Sequence, residues 1–254
     1  MFENSGAVED AYRKVYNSVV KLGVPQKKHC VIFLGGQPGA GKTNFYTQDN
    51  NLNNYIVING DKYRSFHPNY ENIITYDLEN YVERTQGFVN YCIKRLIDEL
   101  SNEGYNLIIE GTLRDPQVPI NTCKLLVNKG YTAQLFVLAV DAEEAWQSTI
   151  NRADIMISLS ETPRLVPIDK YNRIVNNLPD NLKMIEESNL FSSIRLIDRD
   201  NATLYPNSKG EPASEILRKV LNLDRWNAKF EQYADDFVDT KINVLQAQKH
   251  KKGR

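Results

Sequence analysis

The stretch that decides the fold is Cys30-Val31-Ile32-Phe33-Leu34-Gly35-Gly36-Gln37-Pro38-Gly39-Ala40-Gly41-Lys42-Thr43. Its first five residues form an apolar run too short for a helix, and glycine bounds it. Such a run reads as a strand buried on both faces of a parallel sheet. Residues 36–43 match G-x-x-x-x-G-K-[ST], with Gly36, Gly41, Lys42 and Thr43 at the fixed positions. Glycines let consecutive backbone N–H groups turn onto phosphate oxygens, where bulkier residues would block the approach. The cradle is completed by Gln37, Pro38, Gly39 and Ala40. Lys42 is expected to reach the β- and γ-phosphates and the Thr43 hydroxyl to ligate Mg2+. A tight strand–helix turn would explain the glycines but not the Lys-Thr pair. The stretch therefore predicts nucleotide binding, with ATP and Mg2+ as cofactors.

Working outward, similar apolar runs occur at 55–58 (YIVI), 107–109 (LII) and 135–140 (LFVLAV). Helical patterns separate them, at about 77–100, at 119–128, and from Asp141, whose side chain can cap the next turn. Strands alternating with helices imply right-handed βαβ units. The expected fold class is α/β, a P-loop kinase-like three-layer fold with a mostly parallel central sheet and helices on both faces. Residues 194–197 and 203–205 read as a hairpin around the turn at 198–201. Val8, Tyr12, Val15, Val19 and Leu22 mark an amphipathic helix ahead of the first strand. Beyond Pro212, Trp226, Phe230, Tyr233, Phe237 and Val244 mark a helical extension that either packs on the core or offers a docking face. The expected division is an N-terminal helix at 1–25, a kinase core at 26–211 and a C-terminal extension with a basic tail at 212–254.

Composition narrows the class. The 254 residues carry 31 Lys and Arg against 32 Asp and Glu, a net charge of −1, without the basic excess typical of nucleic-acid binders. The longest apolar run, 135–140, is far below the ~20 residues of a membrane helix. The first residues show neither the basic nor the apolar region of a secretory signal. Three cysteines without metal-type spacing suggest reduced thiols. The expectation is a cytoplasmic protein without nucleic-acid or membrane partners.

The strand ends suggest which phosphate chemistry operates. Asp61 follows the second strand as Asn59-Gly60-Asp61, at the carboxyl edge of the sheet where ligands bind. It can act as a general base toward a hydroxyl attacking the γ-phosphate, or cap the segment 62–66. Glu110 ends the third strand, followed by Thr112 and Arg114. It can order Mg2+ through water, hold substrate, or pair with Arg114. Arg152 and Arg164 can close on the phosphates from a lid, or remain surface charge. His67, ahead of Pro68, reads as a hydrogen-bonded turn residue.

The chain resembles the zeta toxin family, the kinase halves of epsilon–zeta toxin–antitoxin pairs, over about residues 28–205. The resemblance rests on GQPGAGKT at 36–43, Asn59-Gly60-Asp61 with His67-Pro68-Asn69, GYNLIIEGTLR at 104–114, Val118-Pro119-Ile120, Thr149-Ile150-Asn151-Arg152 and Asn177-Leu178-Pro179. It implies ATP-dependent phosphorylation of the amino-sugar 3′-hydroxyl of UDP-N-acetylglucosamine, which blocks peptidoglycan synthesis. It implies Lys42 as the loop lysine and Asp61 as the base. Glu110, Thr112, Arg114 and Thr122 match sugar-nucleotide contacts, and Arg152 and Arg164 match the phosphate-clamping arginines. A small helical antitoxin is the implied partner. One position departs: Lys94 stands where the family carries a sugar-contacting glutamate, with Glu83, Asp98 and Glu99 as nearby acidic substitutes. A kinase for another hydroxyl acceptor, such as an antibiotic, and a nucleotide-gated interaction module are the alternative readings.

Overall fold

The computed structural model describes residues 6–21, 23–159 and 161–238. The apolar run at 30–34 becomes strand β1 (Cys30–Gly35), preceded by helix α1 (Gly6–Val20) and followed by α2 (Lys42–Gln48) and β2 (Tyr55–Ile58). A 3-10 turn (Gly60–Phe66) leads to α3 (Tyr70–Tyr76), α4 (Tyr81–Arg84), α5 (Gln86–Asn102) and β3 (Asn106–Glu110). Then come α6 (Gln117–Asn128), β4 (Thr132–Leu138), α7 (Ala142–Ser158), α8 (Ile168–Glu187), β5 (Ser193–Ile197), β6 (Thr203–Tyr205), α9 (Ala213–Leu221) and α10 (Leu223–Ala228). The strand order is β2-β3-β1-β4-β5-β6. β1 and β2 both run parallel to β3, and β6 returns antiparallel to β5, so the predicted hairpin and mostly parallel α/β sheet are both found. No helix among the described residues is long and apolar enough to cross a membrane.

Contacts divide the chain into two compact units. The first takes Met1–Leu34, Tyr46–Gly111 and Thr122–Gln134; the second takes Gly35–Phe45, Thr112–Asn121 and Leu135–Arg254. In the first unit α1 packs its apolar stripe, Val8, Ala11, Tyr12, Val15 and Val19, inward. Its polar side is tied to α5. The Arg95 guanidinium lies 4.0 Å from the centre of the Tyr12 ring, pairs with Glu9, and meets Glu99 at 2.6 Å; Arg13 also reaches Glu99, at 3.1 Å. Leu22, the last residue of the predicted stripe, lies outside the described residues. The three cysteines are free thiols, and burial pushes Cys92 up to about 12 and Cys123 up to about 11, so both stay protonated and inert.

The single helix expected over 77–100 is broken into a 3-10 turn (Leu78–Asn80), α4 and α5. The break has a chemical cause at its last joint. The Val82 carbonyl accepts a hydrogen bond from Arg64 Nη1 at 2.8 Å, and the Thr85 hydroxyl donates to the Tyr81 carbonyl at 2.7 Å. Arg64 thus takes at Val82 a carbonyl that a continuous helix would use, whereas Tyr81 still accepts from the Thr85 amide at 3.0 Å.

In the second unit the extension beyond Pro212 packs on the core of that unit rather than forming one long helix. Asn222 takes a left-handed conformation (φ 52°) between α9 and α10, and a further helical stretch covers 230–238. Trp226 is fully buried, donates to Asn172 Oδ1 at 2.8 Å, and stacks on Tyr233 with ring centres 5.3 Å apart. Trp146 and Tyr171 complete the cluster, with Phe237 5.5 Å from Trp146. Val244 and the basic tail at 249–254 lie outside the described residues.

Candidate active site

The glycine-rich loop belongs to the second unit. Gly36, Gly39 and Gly41 all take positive φ, at 135°, 80° and 95°. Gly39 is the most constrained: a Cβ there would stand 1.9 Å from the Ala145 carbonyl oxygen and 3.0 Å from the Thr149 methyl. The loop therefore rests directly on the first turns of α7, which Asp141 starts by accepting from the Glu143 and Glu144 amides at 2.9 and 3.2 Å. Ala145, Thr149 and Arg152 are spaced to share one helix face. That face carries Arg152 one turn beyond the loop contact, half-buried and within α7. Arg164 lies half-buried in the segment 161–167, ahead of α8.

Lys42 is 8% exposed, and its ammonium is held by the carbonyls of Gly36 and Gln37 at 2.8 and 3.0 Å. The Gln37 side chain turns away, donating to the Val140 carbonyl at 2.7 Å, so the residue contributes its backbone to the loop. A buried ammonium among positive-φ glycines suits a polyanion such as the triphosphate of ATP. Arg199, in the turn between β5 and β6, braces the loop from outside. Its Nη2 donates to the Gly39 carbonyl at 2.8 Å and to Ser148 Oγ at 2.9 Å, while Nη1 pairs with Glu144 at 2.7 Å.

Thr112 and Arg114 flank Leu113 in the same unit. Leu113 takes φ 53°, a strained setting for a leucine, while its side chain covers Gly35 and its carbonyl accepts from Asn181 at 2.9 Å. Thr112 is half-buried and Arg114 exposed on either side of this kink.

The carboxylates belong to the first unit. Asn59, rather than Asp61, caps the turn 60–66: its Oδ1 accepts from the Asp61 amide at 3.0 Å. Its Nδ2 donates to Glu110 Oε2 at 2.8 Å, and Tyr46 donates to the same oxygen at 3.3 Å. One buried asparagine thus sets both the Asp61 backbone and the Glu110 carboxylate. Glu110 ends β3 in register with Leu34, the residue from which the chain enters the glycine loop. Gly60 gives the turn room: a Cβ would stand 2.6 Å from Val89 Cγ1 and 2.8 Å from Ile93 Cδ1. Asp61 itself is paired to the buried Arg64 at 3.2 Å. His67 accepts from the Asn69 amide at 3.1 Å, and burial, then Arg84, holds its pKa below the ordinary value. It is the turn histidine expected from its place before Pro68.

Thr122 lies half-buried on α6. Of the acidic substitutes considered near Lys94, Glu99 is committed to Arg13 and Arg95, Asp98 pairs with Lys129 at 2.8 Å, and Glu83 is exposed on α4. Lys94 is exposed on α5. Among the described residues no group of three His, Cys, Asp or Glu side chains could enclose a metal. A Mg2+ ion here would have to take most of its ligands from phosphate and water, the habit of that ion.

A family model described as Zeta toxin matches residues 14–210, more than half of the chain. Toxin zeta of Streptococcus pyogenes is 36% identical over 194 residues, 74% of this chain and 68% of that protein. Toxin PezT of Streptococcus pneumoniae serotype 4 is 36% identical over 199 residues, 77% of this chain and 79% of that protein. A solved structure from the PezAT chromosomal toxin–antitoxin system of Streptococcus pneumoniae aligns with a TM-score of 0.74 at 30% identity, over 96% of this chain and 98% of that one. A complex of AvrRxo1-ORF1 and -ORF2 with ATP shares the fold at a TM-score of 0.59 and 13% identity, over 78% of this chain and 64% of that one. The strand–loop–helix at 30–48, the carboxylates Asp61 after β2 and Glu110 at the end of β3, and these matches converge: the chain belongs to the zeta toxin family.

Proposed function

We propose that the protein is an ATP-dependent kinase that phosphorylates the amino-sugar 3′-hydroxyl of UDP-N-acetylglucosamine, and acts as the toxin of a toxin–antitoxin pair. The observation that carries the kinase reading is the loop 36–43, with the Lys42 ammonium buried over the Gly36 and Gln37 carbonyls. The choice of acceptor rests on family membership and on the resemblance, which assigns Asp61, Glu110, Thr112, Arg114 and Thr122 to the sugar nucleotide. In this reading the loop amides and Lys42 hold the β- and γ-phosphates. Asp61 accepts the proton of the attacking hydroxyl. Arg152 and Arg164 neutralise charge on the transferring phosphoryl group, which carries most of the barrier in such reactions. Thr43, with Glu110 through water, would hold Mg2+, which would supply positive charge against the phosphates. The acceptor is oriented by Thr112, Arg114, Thr122 and Glu110. A small helical antitoxin that silences the kinase is the expected partner.

The deciding experiment is mass spectrometry of UDP-N-acetylglucosamine incubated with ATP, Mg2+ and the protein, beside Asp61→Asn. The expected product is the sugar nucleotide heavier by one phosphoryl group, with turnover in the variant reduced about 10²- to 10⁴-fold. Normal turnover by Asp61→Asn would refute the base assignment. One observation favours a second acceptor. In the register read from the sequence Lys94 takes the place of the family's glutamate, and both Asp98 and Glu99 are held in ion pairs elsewhere. ATP consumed with the sugar nucleotide unchanged would direct the search to other UDP-amino sugars and then to unrelated hydroxyl acceptors.

A further inference from the structure

Arg64 lies three residues after Asp61 and was not singled out by any sequence pattern. It is 6% exposed, and each of its guanidinium nitrogens is engaged. Nε and Nη2 both meet Asp61 Oδ1 at 3.2 Å. Nη1 donates to the Val82 carbonyl at 2.8 Å and to Thr85 Oγ1 at 2.9 Å, and Nη2 donates to Gln86 Oε1 at 2.9 Å. Gln86 is held in turn, its Nε2 donating to Asn90 Oδ1 at 2.8 Å.

A buried guanidinium is costly in lost hydration unless it is neutralised and its N–H groups are satisfied. Here the neutralising carboxylate is Asp61, and the remaining donors are spent on the α4–α5 joint. The two partners differ in exposure. The Arg64 side chain is 8% accessible, whereas Asp61 is 33% accessible. A pair that served the core alone would bury both members. This one is anchored on the arginine side and leaves the carboxylate reachable, gripped twice on one oxygen.

We infer that Arg64 is the positioning residue of the transfer reaction, holding the Asp61 carboxylate in place by bracing the turn 60–66 against the joint between α4 and α5. The inference rests on the proposed role of Asp61 as base. Lysine cannot reproduce the arrangement, because a single ammonium lacks the planar fork that reaches four partners in separate directions.

The test uses the full chain with ATP, Mg2+ and UDP-N-acetylglucosamine, and reads ADP formation for wild type, Arg64→Lys, Arg64→Gln, Asp61→Asn and the double variant Asp61→Asn with Arg64→Gln. Misplacing a catalytic group by about 1 Å costs about 100-fold, so Arg64→Gln is expected to lower kcat by that order with the KM for ATP within about twofold of wild type. Arg64→Lys keeps the charge and should recover about tenfold of that loss. Once the carboxylate is gone the arginine has nothing to position, so adding Arg64→Gln to Asp61→Asn should lower the residual rate by less than about twofold. Thermal melting checks folding; if Arg64→Gln does not fold, Arg64→Lys decides. Wild-type kcat in a folded Arg64→Lys, a loss confined to KM, or additive losses in the double variant would overturn the inference while leaving an inactive Asp61→Asn intact. Wild-type turnover by Asp61→Asn, or no ADP from the wild type, would instead overturn the base reading and this inference with it.

Discussion

Gly39→Ala tests the seating of the phosphate loop. Two costs add at this position. Alanine in a left-handed backbone conformation costs about 1–2 kcal/mol. The new Cβ would stand 1.9 Å from the Ala145 carbonyl oxygen, against a normal C···O contact of about 3.3 Å, so loop or helix must yield by about 1.4 Å. Overpacking of that kind costs about 1–3 kcal/mol. The sum is about 2–5 kcal/mol, unless the loop lifts from α7 and exchanges part of the stability loss for a distorted cradle. Gly130 provides the control: its φ is 86°, but a Cβ there meets nothing within 4 Å. Gly130→Ala should therefore lose only the conformational part. Urea unfolding gives the two stability differences, and calorimetric titration with ATP gives the affinities. Gly39→Ala should be the less stable of the two and bind ATP at least about tenfold more weakly, since displaced loop donors no longer converge on the phosphates. A Gly39→Ala protein as stable as Gly130→Ala and with wild-type ATP affinity would refute the packing argument.

Lys42→Ala should reduce turnover by about 10³-fold while costing only about 1 kcal/mol of stability, because the ammonium bonds carbonyls of its own loop, as steady-state kinetics and melting would show. Trp226→Ala should cost about 3–5 kcal/mol by chemical denaturation, since the ring is fully buried. Trp226→Phe should recover most of that, short of about 1 kcal/mol for the lost bond to Asn172. Glu143 joins α7 to the C-terminal helices. The Tyr233 hydroxyl first, then Lys229 and Arg225, hold its carboxyl below its ordinary value near 4.5. The folded-state pKa is depressed, so this stabilisation is present above about pH 4.5 and is lost as pH falls through the folded value. Urea midpoints measured from pH 6 down to 3 should fall more steeply for wild type than for Glu143→Gln.

The strand–turn–helix at 30–48, the Asp141 cap and the hairpin at 193–205 were legible because their signals are local: an apolar run, a glycine spacing, an Asp before a helical stripe. The α4–α5 break was not. Its cause is Arg64, which reaches Val82 and Thr85 some twenty residues away. Periodicity over 77–100 carries no trace of that bond. Asn59 illustrates a different difficulty. Both it and Asp61 are good capping residues, and only the folded backbone shows that Asn59 takes the cap. An Asp-x-x-Arg spacing at the start of a short helical turn was the one available sign of Arg64, and it is common enough on surfaces to pass unnoticed. Arg199 sat in a turn-rich segment where an arginine reads as solvated charge, and only the folded hairpin brings it to Gly39.

The aromatic cluster around Trp226 also determines what optical experiments on this protein can see. The chain contains two tryptophans, and both Trp146 and Trp226 sit in that one cluster, 6.1 Å apart, in the second unit. Emission excited at the red edge of the indole band therefore reports on the second unit alone, whereas far-ultraviolet circular dichroism averages the helices of both. If the two signals trace the same denaturation curve, the chain unfolds as one cooperative system; if they separate, the lag between them measures how independently the Asp61 half melts.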